Sequence, residues 1–270
     1  MMKNIKFRRG DLIIQIVLVL IAAIWLVPVV TALRTSLSGN GWGNYQLVFS
    51  TTVNNVLILP RMFRNSMFVT TVTILIILTF AILGAYAFSK MQFRGRKLLY
   101  LAFVGCFSIP MIATLIPNSI LFARVGLRGS YTSMILILAT INLPLAMMIF
   151  KSYFDALSNT FLEAAKMDGS NSFRTLLHVV VPMSTPVIVN VLVVMFIQVW
   201  NDFQVPLIFA TRTDMYTLPM APRFFGLSAN RLDLPPLYAS IIILVVPVVI
   251  FYMIWQDKII EGMTMGGIKE

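Results

Sequence analysis

Polar side chains able to meet a solute gather at one point of this chain, where Gln198, Asn201 and Asp202 stand at i, i+3 and i+4 beside Trp200. On a helix that spacing puts two amides and a carboxylate on one face. These groups hydrogen-bond hydroxyls, and an indole ring offers an apolar surface to a sugar face. A Trp near a membrane boundary is also a common interfacial anchor, so both roles stay open for Trp200. Asn142, Asn118 and Tyr86 are further polar groups inside apolar runs, each equally able to bond a neighbouring helix. Nothing similar supports catalysis. One histidine, His178, and one cysteine, Cys106, exclude polyhistidine and multi-cysteine metal sites and any disulfide framework. No nucleophile–base pair can be assembled, so the chain reads as a non-enzyme without a metal. A phosphate loop of the form G-x-x-x-x-G-K-[ST] is absent, so ATP would have to be bound and hydrolysed by another chain.

The elements that must position these residues are set by composition. Of 270 residues, 59% are hydrophobic and 11% charged. A soluble domain carries about 25% charged residues, so much of the outer face must meet lipid. Crossing about 30 Å of hydrocarbon at about 1.5 Å per residue requires long apolar helices, because unpaired backbone is intolerable in lipid. Six runs qualify: Leu12–Leu33, Ser66–Ser89, Leu98–Leu121, Ser133–Phe150, Pro186–Phe209 and Tyr238–Trp255. The first has no small-residue cleavage site and is read as a span, not a signal peptide. The chain is thus expected to be an all-α polytopic membrane protein, a single unit over 1–270, with no internal repeat.

Net charge is +11, but the basic residues are scattered between apolar runs, which is a topology signal and not a nucleic-acid footprint. Lys3, Lys6, Arg8 and Arg9 precede the first run, and Lys90, Arg94, Arg96 and Lys97 crowd the turn after the second. The positive-inside rule puts both segments, and hence both termini, in the cytoplasm. Thr35 to Asn65 is then an external loop and Lys151 to Thr185 an internal one.

The internal loop is the distinctive segment. Ser158-Asn159-Thr160 offers capping residues, and Thr160 with Glu163 forms a T-x-x-E capping box, which predicts a short helix to about Asp168 that stops at Gly169. Ser170 or Asn171 can cap a second piece running through Leu176 and Leu177 to Pro182. The spacing predicts a helix–turn–helix elbow outside the membrane, although an ordinary amphipathic interfacial loop has a similar pattern. Ala164 and Ala165 permit close approach by a partner, and Gly169 permits a sharp reversal.

Glu163-Ala164-Ala165, three residues, Gly169, nine residues, Val179-x-Val181-Pro182 resembles the signature loop of the membrane subunits of bacterial ABC importers, with Val in place of Ile and Leu. The resemblance extends through Asn44-Tyr45, Arg64-Asn65-Ser66, Ala85-Tyr86-Ala87, Phe93-Arg94-Gly95-Arg96, Ile109-Pro110, Trp200-Asn201-Asp202-Phe203, Thr217-Leu218-Pro219 and Gly262-Met263-Thr264-x-Gly266. Together these look like the carbohydrate-uptake, maltose-type branch, and the shorter of its two paired permease subunits. That resemblance implies a bacterial inner-membrane permease half, with a homologous second permease subunit, a dimer of ATP-binding subunits that hold ATP and Mg, and an extracytoplasmic solute-binding protein. It implies that Glu163, Ala164, Ala165, Asp168, Gly169 and Pro182 couple to the ATPase. Gln198, Trp200, Asn201, Asp202, Asn142 and Tyr86 are the candidates for the solute path. The alternative is a secondary transporter driven by an ion gradient, which would normally need inverted repeats and embedded carboxylates. Asp202 alone fits poorly with that alternative.

Overall fold

The computed structural model describes residues 9–228 and 231–267, with side chains described over 12–226 and 232–256. Lys3, Lys6 and Arg8 lie outside the described residues, as do the side chains of the Gly262-Met263-Thr264 motif. Helix α1 (Arg9–Ser36) is followed by α2 (Gly43–Ser50) and a hairpin of β1 (Thr52–Val53) and β2 (Val56–Leu57). Antiparallel pairing sets Thr52 opposite Leu57. Asn54 and Asn55 turn the hairpin with φ of 52° and 61°, the left-handed pair that Asn tolerates in a tight turn. The external loop expected over Thr35–Asn65 is therefore largely ordered, and its last residues already belong to α3 (Ile58–Lys90).

Next come α4 (Arg96–Gly105), a 3₁₀ turn at Cys106–Ser108, α5 (Met111–Arg124) and α6 (Tyr131–Ala156). The segment expected as an internal loop contains α7 (Asn159–Met167), α8 (Ser172–Thr175), a π-helical turn at Leu176–Val180 and α9 (Val181–Met183). Helices α10 (Thr185–Trp200) and α11 (Gln204–Phe209) lead to two 3₁₀ turns, α12 (Ala221–Phe225) and a second hairpin, β3 (Leu227–Ser228) with β4 (Arg231–Leu232). Leu227 pairs with Leu232. The last element, α13, runs from Leu234 to Gly267.

Among the described residues four helices are unbroken and long and apolar enough to cross a membrane, and two bent pairs would make six. Two of the expected spans are broken. Leu98–Leu121 is not one helix, because the chain turns by 98° between Arg96–Ser108 and Met111–Arg124. Pro110 has no N–H to continue the ladder and drives Ile109 into an extended conformation with ψ of 119°. Pro186–Phe209 is not one helix either, since α10 ends at Trp200 and α11 starts only at Gln204. Ser133–Phe150 is longer than expected, continuing as α6 past Lys151 to Ala156 with Pro144 inside it.

The core lies between α3 and α6. Met62, Val69, Ile77, Ala81 and Ala85 of α3 face Met134, Leu138, Ala146, Phe150 and Phe154 of α6, all buried. The end of the Met147 side chain packs into the space that a Cβ on Gly84 would occupy, so a larger residue there would require Met147 to shift. Helix α10 adds Val187, Val191, Met195 and Val199 to the same cluster. By contrast α1 is apolar all round and exposed from Leu12 to Thr31, standing outside the core against α13. A helix of that kind is at home in lipid or against another membrane subunit.

Candidate functional site

At the end of α6 the backbone opens. Leu157 and Ser158 are extended, with ψ of 132° and 135°, and only these two residues separate α6 from α7. Ser158 Oγ accepts the Thr160 N–H at 3.2 Å and caps α7. Of the capping residues expected at 158–160, Ser158 is the cap, and the Thr160–Glu163 capping box is not. Ser158 is the residue outside helical geometry, so its hydroxyl meets the first free amides, and Thr160 falls inside the first turn.

Helix α7 stops as its glycine requires. Ser170 N–H donates to Ala165 O and Gly169 N–H to Lys166 O, both at 3.0 Å, and Gly169 has a φ of 75°. This is a Schellman turn. Asn171 caps α8 by accepting the Arg174 N–H at 2.8 Å, while Ser170 Oγ accepts the Thr175 hydroxyl at 3.1 Å instead. The second piece does not end at Pro182, as expected, but passes through it to Met183. Pro182 cannot donate to the preceding turn, and the π turn at Leu176–Val180 absorbs the mismatch. At Ser184, whose Oγ donates to Val180 O at 2.6 Å, the chain bends by 79° into α10.

The elbow shows a mixed face to its surroundings. Ala165 is buried, whereas Glu163, Ala164, Asp168, Gly169 and Pro182 are exposed. Around them Phe161, Phe173 and Leu177 are exposed, and Met167 is 89% exposed. His178 is exposed too, its Nδ1 lying 3.1 Å from Arg174 O. A stiff capped helix carrying an apolar ridge among polar groups suits docking.

Gln198, Asn201 and Asp202 are not on one helical face, because α10 ends between them. They nevertheless converge. With Met111, Ile197, Phe203 and Gln204 they line a cleft of about 470 Å³. Asp202 Oδ1 accepts the Val205 N–H at 2.8 Å and so caps the first turn of α11, and Asn201 Nδ2 donates to Ile197 O at 2.8 Å. Further along α5 a second cleft of about 620 Å³ is lined by Ile116, Ser119, Ile120, Ala123, Arg124, Arg128 and Ile208.

Trp200 is the exception among the neighbouring candidates. It is 1% exposed, stacked on Phe196 at 5.3 Å and edge-on to Phe63 at 5.8 Å, with its indole N–H donating to Leu244 O at 3.4 Å. It is a core residue, neither a wall of the cleft nor an interfacial anchor. Tyr86 is buried in the core as well. Asn142 Nδ2 and Asn118 Nδ2 each donate to a carbonyl one turn back in their own helix, Leu138 O and Thr114 O, both at 2.8 Å. Neither of these bonds reaches a neighbouring helix.

Other sequence motifs turn out to be clasps. Asn44 Nδ2 donates to Ser36 O and Ser38 O at 2.9 Å, satisfying carbonyls at the end of α1. Asn65 Nδ2 donates to Asp214 O at 2.8 Å and Tyr216 O at 2.9 Å, and its Oδ1 accepts the Tyr131 hydroxyl at 2.9 Å. Ser66 Oγ accepts the Leu218 N–H at 2.7 Å. The segment after α11 is thereby latched to the starts of α3 and α6. A cluster joining Ser89, Lys90, Lys151, Asp155 and Asn159 at the opposite end was not foreseen. Its only sequence signal is charge at the ends of two apolar runs.

Residues 81–264 match the family described as "Binding-protein-dependent transport system inner membrane component". The chain is 32% identical over 213 residues to the "Inner membrane ABC transporter permease protein YcjP" of Escherichia coli (strain K12), covering 77% of this chain and 74% of that protein. It is 26% identical over 264 residues to the "Trehalose/maltose transport system permease protein MalG" of Thermococcus litoralis, covering 95% and 94%. A solved bacterial ABC transporter involved in the import of the acidic polysaccharide alginate includes a chain that superposes with a TM-score of 0.76 at 21% identity, covering 94% of this chain and 99% of that one. Apolar helices, an exposed capped elbow and a polar cleft are thus combined in a chain that belongs to the inner-membrane permease components of binding-protein-dependent transport systems.

Proposed function

We propose that this chain is one of two homologous membrane subunits of an ATP-driven importer for a sugar or related polar solute. The single observation that carries the reading is the combination of an exposed capped elbow with a polar cleft in a chain of this family. In this reading α5, the end of α10 and α11 line half of the translocation path. Gln198, Asn201, Asp202 and Gln204 supply donors and acceptors for hydroxyl groups, and Phe203 lines the cleft with them as an aromatic ring. Trp200 supports that wall from behind.

The α7 elbow docks on a separate ATPase, one of a dimer that holds ATP and Mg. Motion of the ATPases tilts the two permease subunits between inward-facing and outward-facing states. The carbohydrate uptake for which relatives are named supports the solute class. An extracytoplasmic binding protein, which the family description requires of such systems, delivers the solute opposite the elbow. Both termini and the elbow lie in the cytoplasm, consistent with the density of Lys and Arg at 90–97.

Reconstitution tests this. Proteoliposomes holding this chain, its second permease and its ATPase should import solute only with binding protein on the solute side and ATP on the elbow side. Uptake by this chain alone under a proton gradient without ATP would establish the secondary-transporter alternative instead.

A further inference from the structure

The hinge between α6 and α7 is braced by a side chain from a third helix. Lys90, at the last position of α3, donates from Nζ to Leu157 O at 2.7 Å and to Asn159 Oδ1 at 3.0 Å. Its two acceptors lie on either side of Ser158, so the ammonium straddles the bend instead of merely capping one helix. Leu157 O belongs to the extended residue that ends α6, and a cationic donor suits such a carbonyl. Asn159 is the first residue of α7.

The groups behind Lys90 hold the ends of three helices in register. Ser89 Oγ donates to Asp155 Oδ1 at 2.7 Å, which ties α3 to α6. Lys151 pairs with Asp155 Oδ2 at 2.6 Å and stands 4.8 Å from the centroid of the Tyr100 ring on α4. Among the described residues there are two ion pairs, and this is one of them. An exposed pair one helical turn apart contributes only about 0.3–0.5 kcal/mol. Stability is therefore a poor account of the cluster, whereas geometry is a good one. The far end of the elbow is fastened to α6 differently, through the Tyr153 hydroxyl donating to Met183 O at 2.8 Å. Among the described residues, the hydrogen bond that reaches α7 from α3 is the one from Lys90 to Asn159.

We propose that Lys90 is a positioning residue that makes α3 move with α7, so that displacement of the elbow is transmitted to the helix at the centre of the core and not only to α6 and α10. The two-residue hinge would otherwise let α7 swing about Leu157 and Ser158 while α3 stayed still. This inference rests on α7 being the element that meets the ATPase. Lys90 itself touches neither the polar cleft nor the exposed ridge of the elbow.

The test is the number of ATP molecules hydrolysed per solute imported, measured in proteoliposomes containing the whole importer. Lys90→Met removes the donor and keeps the apolar stem. It should leave complex assembly and ATP hydrolysis in place and raise the ATP cost per solute about tenfold, the effect of losing one charge-assisted bond of ordinary strength from the coupled state. Lys90→Arg, which keeps a charged donor in reach of both acceptors, should restore at least half of the wild-type ratio. Met167→Asp, on the exposed ridge, tests the docking reading separately and should abolish ATPase association. An unchanged ratio in Lys90→Met, with Met167→Asp defective, overturns the strut while leaving the dock intact. Equal loss in Lys90→Met and Lys90→Arg together with reduced membrane abundance also overturns it, by showing a folding defect. If Met167→Asp binds and couples normally, the docking reading fails, and the strut fails with it.

Discussion

Replacing Asn65 should loosen the whole segment between α11 and α12 from the bundle. Asn65 is 3% exposed and all three of its hydrogen bonds reach other elements, Asp214 O, Tyr216 O and the Tyr131 hydroxyl. With Asn65→Ala, Tyr131 keeps an alternative acceptor, since its hydroxyl lies 3.3 Å from Asp214 O. Tyr216 O then loses its side-chain donor. A group left unsatisfied in a buried setting costs about 1–3 kcal/mol, and the shortened side chain adds a small void, so about 2–3 kcal/mol is expected for the alanine variant. Asn65→Asp preserves shape but turns both donors into acceptors that face two carbonyl oxygens, and it should cost more, about 3–5 kcal/mol. In a protein of this size 2–3 kcal/mol corresponds to a fall of roughly 5–10 °C in apparent melting temperature. The assay is the monodisperse fraction remaining after heating detergent-solubilised protein, for wild type and both variants. Wild type most stable, Asn65→Ala next and Asn65→Asp least is the order that supports the latch. An Asn65→Asp variant as stable as wild type would refute the reasoning, because no arrangement with two donated bonds could survive that exchange.

Gly169→Val should abolish uptake while membrane abundance stays near wild type, measured by transport and immunoblot. A Cβ there meets nothing within 4 Å, so the penalty, about 1–2 kcal/mol, is purely that of the left-handed backbone at φ 75°. Asp202→Asn keeps an oxygen to cap Val205 N–H and removes the charge, whereas Asp202→Ala loses both and about 1 kcal/mol of capping. A carboxylate acting on solute predicts impaired uptake in both with complex assembly retained, and wild-type uptake in Asp202→Asn would assign the residue to capping alone. Trp200→Ala should destabilise by about 3–5 kcal/mol as a core truncation, while Gln198→Ala, exposed in the cleft, should change stability by under about 0.5 kcal/mol. Reporters fused at Gly39 and Gly169 should label opposite sides of the membrane, and labelling on one side would overturn the orientation.

Features that depend on composition and local chemistry can be read from the residues alone. Too few charges for a water-exposed surface meant apolar helices, and Gly169 meant a left-handed stop, because only a residue without Cβ takes that φ readily. The elbow's signature was legible for the same reason, since caps and turns are made between near neighbours. Where a run of apolar residues breaks, and which way its side chains face, depends instead on how the helices pack. Apolar periodicity does not change at Pro110 or after Trp200, so both runs read as single spans, and only the folded chain, with α5 and α11 packed beside α6, shows the bend at the first and the helix break at the second. Trp200 was read with Asn201 and Asp202 because adjacent residues share a motif. Its ring instead points to Phe196 and Leu244 while they line the cleft, a difference of facing that one step along a chain leaving its helix produces. Asn65 and Asp214 lie 149 residues apart, and Lys90 lies 69 from Asn159. Bonds over such separations are fixed by how α3 and α6 pack, and no local pattern announces them.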